Sequence, residues 1–440
     1  MKITFILPCV GKIPGRPYVK TWKMEPLAIS TLSALTPTHI EKEFFDDRLE
    51  PIDYETKTDL VAISVETYTA RRAYQIAKKF KERGVPVVMG GFHATLMPDE
   101  TALYADSVVV GYAEGIWENV CLDVAADNLQ EKYYAVDEPV FRVLPDRSIY
   151  SRKKYANLTL IETGRGCRFN CEFCSIKTFF KRNYHHRPID DIFKDIKRAP
   201  SKNIFFVDDN FVVDRKHTKA LLKKIVPLKK RWVGQMSVDA AQDKELLALM
   251  HKSGCMGVLI GFESLNPNNL DRMDKVVNKA SRGFEQALAN IEEAGLGVYA
   301  TFLFGYDEDR EEDFQNTLEF AIRHKFFFAA FNHLVPFPGT ELYERMKQEN
   351  RLLHENWWLS KNYRFGDIAF TSKQMDAETL KDTCLQYRKK FYSWPSILTR
   401  ANAWQTNCRN LLMTGLFFSQ NYLSRNDVLL RQGLPLGAED

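Results

Sequence analysis

The sequence predicts an α/β protein: an N-terminal doubly wound, Rossmann-like domain, then a partial (β/α)6 barrel of the TIM type, then a helical C-terminal extension. Three observations carry this. Short apolar and β-branched runs alternate with helical patterns over residues 1–130, the rhythm of a parallel sheet with covering helices. The alternation resumes over residues 156–345 with six strand-like runs at regular spacing, and barrels of this kind carry their chemistry at the strand C-terminal ends. Between them, residues 131–155 turn polar and aromatic, with turn signals at Pro139 and Pro145-Asp146, and read as a hairpin-like linker. Residues 346–440 form the extension.

Whole-chain quantities bound the function. A length of 440 residues supports more than one core. A composition of 45% hydrophobic and 27% charged residues is that of a globular protein. The formal net charge of +4 is spread along the chain and leaves no electrostatic footprint for nucleic acid. Eight cysteines are too sparse for a disulfide framework, and Met1-Lys2-Ile3-Thr4 runs straight into a strand without a secretory signal, so the cytoplasm is the expected compartment. No apolar run reaches the ~20 residues of a membrane-spanning helix. The aromatic stretch 411–418 is expected to pack in a core, with membrane-surface association as the alternative.

In the first domain, strands are expected at residues 2–8, 39–45, 60–65, 85–89 and 107–110, and helices at 26–35, 69–83 and 114–126, the second of these closed by Gly84 before Pro86. The ligand crevice of such a sheet lies beyond the strand C-terminal ends. Those ends carry Pro8-Cys9, Ser64-Val65-Glu66-Thr67, Gly90-Gly91-Phe92-His93 and Gly111-Tyr112-Ala113-Glu114-Gly115. Paired glycines let backbone approach a bulky ligand, and a helix starting near Gly115 offers free amides to phosphate. No Gly-x-Gly-x-x-Gly follows the first strand, which disfavours a dinucleotide.

In the second domain the strands are expected at 158–163, 203–207, 232–238, 257–262, 297–304 and 327–335, with helices at 189–198, 215–226, 243–252, 281–294 and 310–324. Directly after the first strand stands Gly164-Arg165-Gly166-Cys167-Arg168-Phe169-Asn170-Cys171-Glu172-Phe173-Cys174-Ser175. Its two glycines let the loop fold back and aim three thiolates at one point. Iron–sulfur clusters and structural zinc sites usually take four ligands. Cys121 and Cys255 are too distant in sequence to supply the fourth, so one metal position stays open in a cluster, and zinc is the alternative. Later strands end in Asp208-Asp209-Asn210, in Gln235-Met236-Ser237-Val238-Asp239 and in Gly261-Phe262-Glu263-Ser264-Leu265. Each alone reads equally as a cap or turn. Together, at successive strand ends after the cysteine loop, they read as a site. The turn Pro336-Phe337-Pro338-Gly339-Thr340 has Thr340 as a helix cap and no catalytic character. The extension, with Trp357-Trp358, Tyr363, Phe365, Phe370 and a helix at 377–392, is expected to close the barrel mouth, and Cys384 and Cys408 are structural thiols.

The Cys-x3-Cys-x2-Cys loop with Phe173 before its third cysteine resembles the cluster loop of the radical SAM superfamily. The Gly-Gly-x-His with Pro98-Asp99-Glu100, followed by Val-Val-x-Gly-x-x-Glu-Gly, resembles the cobalamin-binding domain that precedes one large group of these enzymes. The Pro-x-Pro-Gly-Thr turn resembles members that include hopanoid methylases and anaerobic bacteriochlorophyll cyclases. The resemblance implies a 4Fe–4S cluster on Cys167, Cys171 and Cys174, and S-adenosylmethionine at its open iron, surrounded by Phe173, Asp208, Asp209, Ser237, Asp239, Glu263 and Ser264. It implies cobalamin against Ser64, Thr67, Gly90, Gly91, His93, Gly111, Glu114 and Gly115; the Asp-x-His-x-x-Gly signature that supplies a cobalt ligand is absent. The implied activity is reductive cleavage of S-adenosylmethionine, with an electron from flavodoxin or ferredoxin, and methylation of an unactivated carbon of a small molecule. The aromatic C-terminal third hints at a lipid, isoprenoid or tetrapyrrole. Radical oxidation, cyclisation or rearrangement without methyl transfer is the alternative activity, and a non-enzymatic cobalamin or redox sensor the alternative class. A tRNA methylthiotransferase is disfavoured, because the N-terminal domain offers only Cys9 and Cys121 for a second cluster.

Overall fold

The computed structural model describes residues 1–13, 23–135, 141, 143–275, 278 and 284–438, with residues 427–429 described as backbone only. Pro139 and residues 281–283 of the expected helix 281–294 lie outside the described residues. The chain forms two compact units: Met1–Ala156 with His354–Phe365 and Gly433–Asp440, and Asn157–Leu353 with Gly366–Gln432.

The first unit is built on strands β1 (Lys2–Leu7), β2 (Gly11–Lys12), β3 (Glu41–Asp46), β4 (Leu60–Ser64), β5 (Val87–Gly90), β6 (Ser107–Val110) and β7 (Lys132–Tyr134). Six of them form one parallel sheet in the order β3-β1-β4-β5-β6-β7. The order reverses between β1 and β4, which places the ligand crevice at their C-terminal ends. Five strands stand where expected. The sixth, β7, corrects the hairpin reading of 131–155: Lys132–Tyr134 pairs in parallel with β6. Three residues with an exposed Tyr134 suffice at an edge, where only one side is paired, and leave too short a pattern to read.

Ile3, Phe5, Leu60, Ala62 and Val88 form the sheet side of this core, with Trp117 donating its indole N–H to Thr36 Oγ1 at 2.9 Å. Two later segments return to it. Gly437–Ala438 pairs in parallel with β2. In His354–Phe365, Trp357 and Trp358 are both fully buried. Trp357 packs on Tyr68 and Tyr363, each at 5.0 Å between ring centroids, and Trp358 donates to both oxygens of Glu100 at 3.1 Å. These aromatics are therefore core of the first unit, not part of a barrel closure.

The second unit carries β8 (Thr159–Ile161), β9 (Gly164–Gly166), β10 (Tyr184–His186), β11 (Asn203–Phe206), β12 (Arg231–Gln235), β13 (Cys255–Glu263), β14 (Gly297–Phe304) and β15 (Phe328–His333). β8 and β11–β15 make a six-stranded parallel sheet whose spatial order follows the chain, with β8 and β15 as its edges: an open barrel, as the alternation predicts. Helices Ile189–Arg198, Arg215–Ile225, Lys244–Lys252, Phe284–Glu293 and Glu311–Arg323 intervene. β9 and β10 form a small antiparallel pair inside the cysteine loop.

The C-terminal helices continue the outer layer rather than forming a lid. Helix Ala377–Phe391 packs against edge strand β15, and Tyr392 donates to the Ala329 carbonyl at 3.2 Å. Arg400, fully buried, donates to the carbonyls of Phe326 at 2.9 Å and Phe391 at 3.0 Å and to Asn421 Oδ1 at 3.0 Å, joining three helices to the strand's entry. The part that reaches the strand C-terminal ends is short: Phe370 lies over Gly305, and Gln374 donates to the Asp307 carbonyl at 3.1 Å. Among the described residues no helix is long and apolar enough to cross a membrane. Trp357→Ala removes a fully buried side chain and is expected to destabilise the first unit by about 3–5 kcal/mol, read as a lowered midpoint of chemical unfolding.

Candidate functional site

The cysteine loop starts at a clamp. Asp208, buried at the end of β11, accepts bonds from the Thr163 N–H at 3.2 and 3.1 Å and from the Thr163 hydroxyl at 2.6 Å. Burial, opposed by those bonds and assisted by the charge of Glu162, pushes its carboxyl up to about 7. Both oxygens face the chain itself, so Asp208 sets where the loop begins instead of facing a cofactor as the sequence suggested. The glycines serve close approach. A Cβ on Gly164 would collide with the Tyr184 hydroxyl, and one on Gly166, which has φ of +90°, with the Asn183 carbonyl.

Cys171 is buried, and Cys167 and Cys174 are half-buried. Burial raises all three thiols, Cys171 to about 12; Cys174 further raises Cys167, and both further raise Cys171. Cys174 caps helix Ser175–Phe180, where the N–H groups of Ile176 and Lys177 oppose the rise. Without metal the thiols hold their protons, so metal binding must displace them. Among the described residues no three His, Cys, Asp or Glu side chains converge on a position for a single ion. A cluster asks for something different, since it spreads its thiolates over separate irons.

The loop is gripped from outside by residues the sequence did not single out. Glu172, between the second and third cysteines, forms a two-pronged pair with Arg345 at 3.2 and 2.9 Å, and Arg345 also reaches Asp307 at 3.1 Å. The Leu342 N–H donates to the Glu172 carbonyl at 3.0 Å, Thr178 donates to the Gly339 carbonyl at 3.2 Å, and Lys177 pairs with Glu341 at 2.5 Å. The Pro-x-Pro-Gly-Thr turn and its helix Glu341–Gln348 thus hold the cysteine loop, a role its turn chemistry alone did not reveal.

Around the loop stand the other strand ends. Asp209 accepts from the Gly166 N–H; burial and the neighbouring Glu162 push it up to about 7, and its charge raises Cys167 and Cys174. Unlike Asp208, it faces the loop. Ser237 is held by Asn210, which donates to its Oγ at 3.2 Å. Asp239 pairs with Arg215 at 2.7 Å through Oδ2, while its buried Oδ1 has no hydrogen-bond partner. Glu263 is buried and left-handed, with φ of +62°, at a register shift in β13. That conformation is costly for a residue with a side chain and is found where function over-determines it. Its Oε1 pairs with Lys275 Nζ at 2.9 Å. Burial works against the Lys275 charge, but the Glu263 carboxylate paired with it outweighs that and holds Lys275 protonated. Its ammonium stands 5.9 Å from the Phe173 ring, which packs on the barrel core. Lys275, like Glu172 and Arg345, carries no signal of this role in the sequence. Ser264 accepts from the Asn266 N–H at 3.0 Å and serves a turn, not a ligand.

In the first unit, several expected ligands prove to be framework. His93 is fully buried, with Nδ1 3.3 Å from Thr67 Oγ1 and Nε2 3.1 Å from Glu100 Oε1. Both ring nitrogens are engaged, so neither His93 nor Thr67 is free for cobalamin, in keeping with the missing cobalt-ligand signature. A Cβ on Gly91, at φ +101°, would lie 2.9 Å from the Val65 carbonyl, and one on Gly111, at φ +91°, 2.9 Å from Ala135 Cβ. Both are required by the backbone of the unit. Gly90 lies along Val109, Ser64 is half-buried at the end of β4, and Glu114 is buried. Gly115, at φ +87°, meets no atom within 4 Å of an added Cβ, and helix Trp117–Ala125 begins just beyond it. An open glycine before a helix, in a sheet of this order, fits the approach of a bulky phosphate-bearing cofactor.

Comparison with known proteins agrees with this geometry. Residues 161–321 match the model of the radical SAM superfamily and residues 36–120 that of the B12 binding domain. The bacteriochlorophyllide d C-12(1)-methyltransferase of Chlorobaculum tepidum is 30% identical over 390 residues, 85% of this chain and 84% of that protein. The bacteriochlorophyllide d C-8(2)-methyltransferase of the same organism is 26% identical over 85% of this chain and 87% of its own length. The structure of TsrM from Kitasatospora setae, a radical S-adenosylmethionine methyltransferase with cobalamin and a 4Fe–4S cluster bound, superposes with a TM-score of 0.63 at 18% identity, covering 79% of this chain and 75% of that one. Fold, cysteine loop and crevice together define a cobalamin-binding radical SAM enzyme. The chain belongs to the cobalamin-dependent radical SAM methyltransferases, whose cofactors are S-adenosylmethionine, a 4Fe–4S cluster and cobalamin. This sets aside the sensor reading.

Two outcomes test the loop geometry. Gly166→Ala forces the loop off the Asn183 carbonyl and is expected to lower iron and sulfide content by roughly half or more with far-ultraviolet dichroism unchanged. The Asp208 carboxyl binds its proton more tightly in the folded than in the unfolded chain. Its ionisation therefore costs stability, a cost absent below its ordinary value of 3.8 and complete above about 7. In Asp208→Asn that component is lost. The difference in unfolding midpoint between wild type and variant should shift in the variant's favour as pH rises from about 4 to 7; a pH-independent difference would refute the assignment.

Proposed function

We propose that the chain methylates a carbon of a tetrapyrrole of the bacteriochlorophyllide class. The observation that carries this is the match, along most of both chains, to two methyltransferases named for bacteriochlorophyllide d. In this reading Cys167, Cys171 and Cys174 hold the cluster. Asp209, the carboxylate turned towards the loop, accepts the methionyl ammonium of S-adenosylmethionine. Ser237 and the unpartnered Oδ1 of Asp239 lie at the next strand end for its carboxylate or ribose. Glu263 is aimed by its left-handed backbone and by Lys275, whose charge also offsets the crowding of thiolates. In the first unit, Ser64 and Gly115 remain as cobalamin contacts at the crevice, with Gly90, Gly91, Gly111, Glu114, Thr67 and His93 shaping its walls. When bound, these cofactors supply one-electron cleavage and a transferable methyl group. The protein's own residues orient the cofactors, keep charges paired and exclude water.

All eight cysteines are free thiols, so a reducing cytoplasm with flavodoxin or ferredoxin as electron donor is the setting this reading requires. The test is anaerobic turnover of the reconstituted enzyme with bacteriochlorophyllide d and methyl-labelled S-adenosylmethionine. A product carrying one labelled methyl group is expected, and Cys171→Ala should yield neither product nor 5′-deoxyadenosine. Asp209→Asn should weaken S-adenosylmethionine binding by about 10- to 100-fold, the value of a hydrogen bond to a charged group. Formation of 5′-deoxyadenosine with an oxidised, unlabelled product would replace methyl transfer by radical oxidation.

A further inference from the structure

Unusual exposure is concentrated in one part of the second unit. Between residues 394 and 422, six large apolar side chains stand in solvent: Trp394 and Leu398 on helix Trp394–Ala401, Trp404 in the link that follows, and Leu411, Leu412 and Tyr422 on helix Leu411–Arg431. Trp404 is 74% exposed and Leu411 93%. The two helices lie together. Arg400 bonds Asn421 at 3.0 Å, the rings of Trp394 and Tyr422 are 6.4 Å apart, and the Arg425 guanidinium is 5.9 Å from the Trp394 ring. Leu398 follows Trp394 by one helical turn, so both share this face. The inner sides of the same helices are filled by Ile397, Met413 and Phe417. The outer apolar groups are therefore surplus to the core, and they are the largest such group among the described residues, elsewhere only Leu103 and Tyr104 standing side by side.

The stretch that carries this face is basic, with Asp382 and Asp427 only at its two ends. From Thr383 to Asn426 there are six Lys and Arg residues and no Asp or Glu. Lys389, Lys390 and Arg425 are exposed. A cavity of about 400 Å³, lined by Arg231, His251, Arg409, Leu412 and Met413, opens beside the start of helix Leu411–Arg431. No carboxylate stands within ion-pair distance of Arg231 or Arg409 among the described residues; Arg409 bonds only the Gly295 carbonyl and, at 3.4 Å, His251 Nδ1. Two arginines without counter-charge in a cavity, bordered by Trp, Tyr and Leu in solvent, match a surface that is anionic at its polar layer and apolar beneath it.

We propose that this face docks on the surface of a lipid bilayer carrying anionic headgroups. Trp394, Trp404 and Leu411 enter the interface, and Arg409 and Arg231 receive a lipid phosphate. Neither helix crosses a membrane, so the attachment is to one leaflet, the arrangement of interfacial helices with an apolar face and a cationic border. The inference does not depend on which molecule is methylated, and its test reads binding alone.

The experiment is flotation of the reconstituted, full-length enzyme, under anaerobic conditions, with vesicles of phosphatidylcholine alone and of phosphatidylcholine containing a quarter phosphatidylglycerol. The enzyme should float with the anionic vesicles and lose most of that binding at high salt. Trp404→Ser combined with Leu411→Ser changes two protruding side chains, so cluster content and dichroism should stay at wild-type values while vesicle affinity falls roughly tenfold or more. Arg409→Gln should reduce the preference for anionic vesicles without affecting S-adenosylmethionine cleavage. Absence of flotation, equal flotation with both vesicles, or wild-type flotation of the double variant would overturn the proposal. So would a solution dimer that the double variant dissociates, which assigns the face to a second copy of the chain.

Discussion

The contact on which the second unit depends is the pair of Glu172 with Arg345. The barrel is open, with β8 and β15 as unjoined edges. Glu172 sits in the loop that follows β8, and Arg345 in the helix that follows β15. Their two-pronged bond, continued to Asp307, therefore spans from one edge of the sheet to the other at its functional end. Both side chains are mostly shielded from solvent, at 16% and 13% exposure, and losing one partner of such a pair leaves the other charge stranded, which costs far more than the pair is worth. A cysteine loop needs three thiols at fixed places, and a loop on an edge strand cannot fix them unaided.

The same constraint sorts the carboxylates. Asp208 and Asp209 are adjacent and of one chemical type, yet they meet different partners where the chain leaves β11 and enters a turn. One is locked to Thr163 and the other is turned to the cysteines. Glu263 reaches inward through a backbone conformation that a bulge in β13 imposes and a buried lysine stabilises.

What was legible in the sequence follows from range. Most strands were legible as short runs rich in apolar and β-branched residues, and the cysteine loop because its ligands fall within eight residues of one another. β7 was not, because three residues at a sheet edge need no apolar pattern. The partner of Glu172 lies 173 residues along the chain and that of Glu263 lies 12 residues on, outside strand or helix periodicity, and a single sequence carries no mark of either pair. Trp357 and Trp358 were legible as aromatic and not as core of the first unit, because composition states that a side chain will be buried but not against what. His93 is the converse: in a glycine-rich loop without the cobalt-ligand signature it reads as a buried, hydrogen-bonded residue rather than a cobalt ligand, and the positions of Thr67 and Glu100 supply its partners.

The first unit is woven from three separated stretches of chain. The short strand β2, outside its six-stranded sheet, finds its partner only at Gly437–Ala438, and Glu100 its indole donor only at Trp358. On the ribosome, therefore, the domain whose sheet emerges first is the one completed last. Residues 1–156 emerge with β2 unpaired and with Tyr68 and Glu100 lacking their tryptophan partners until the barrel has been synthesised.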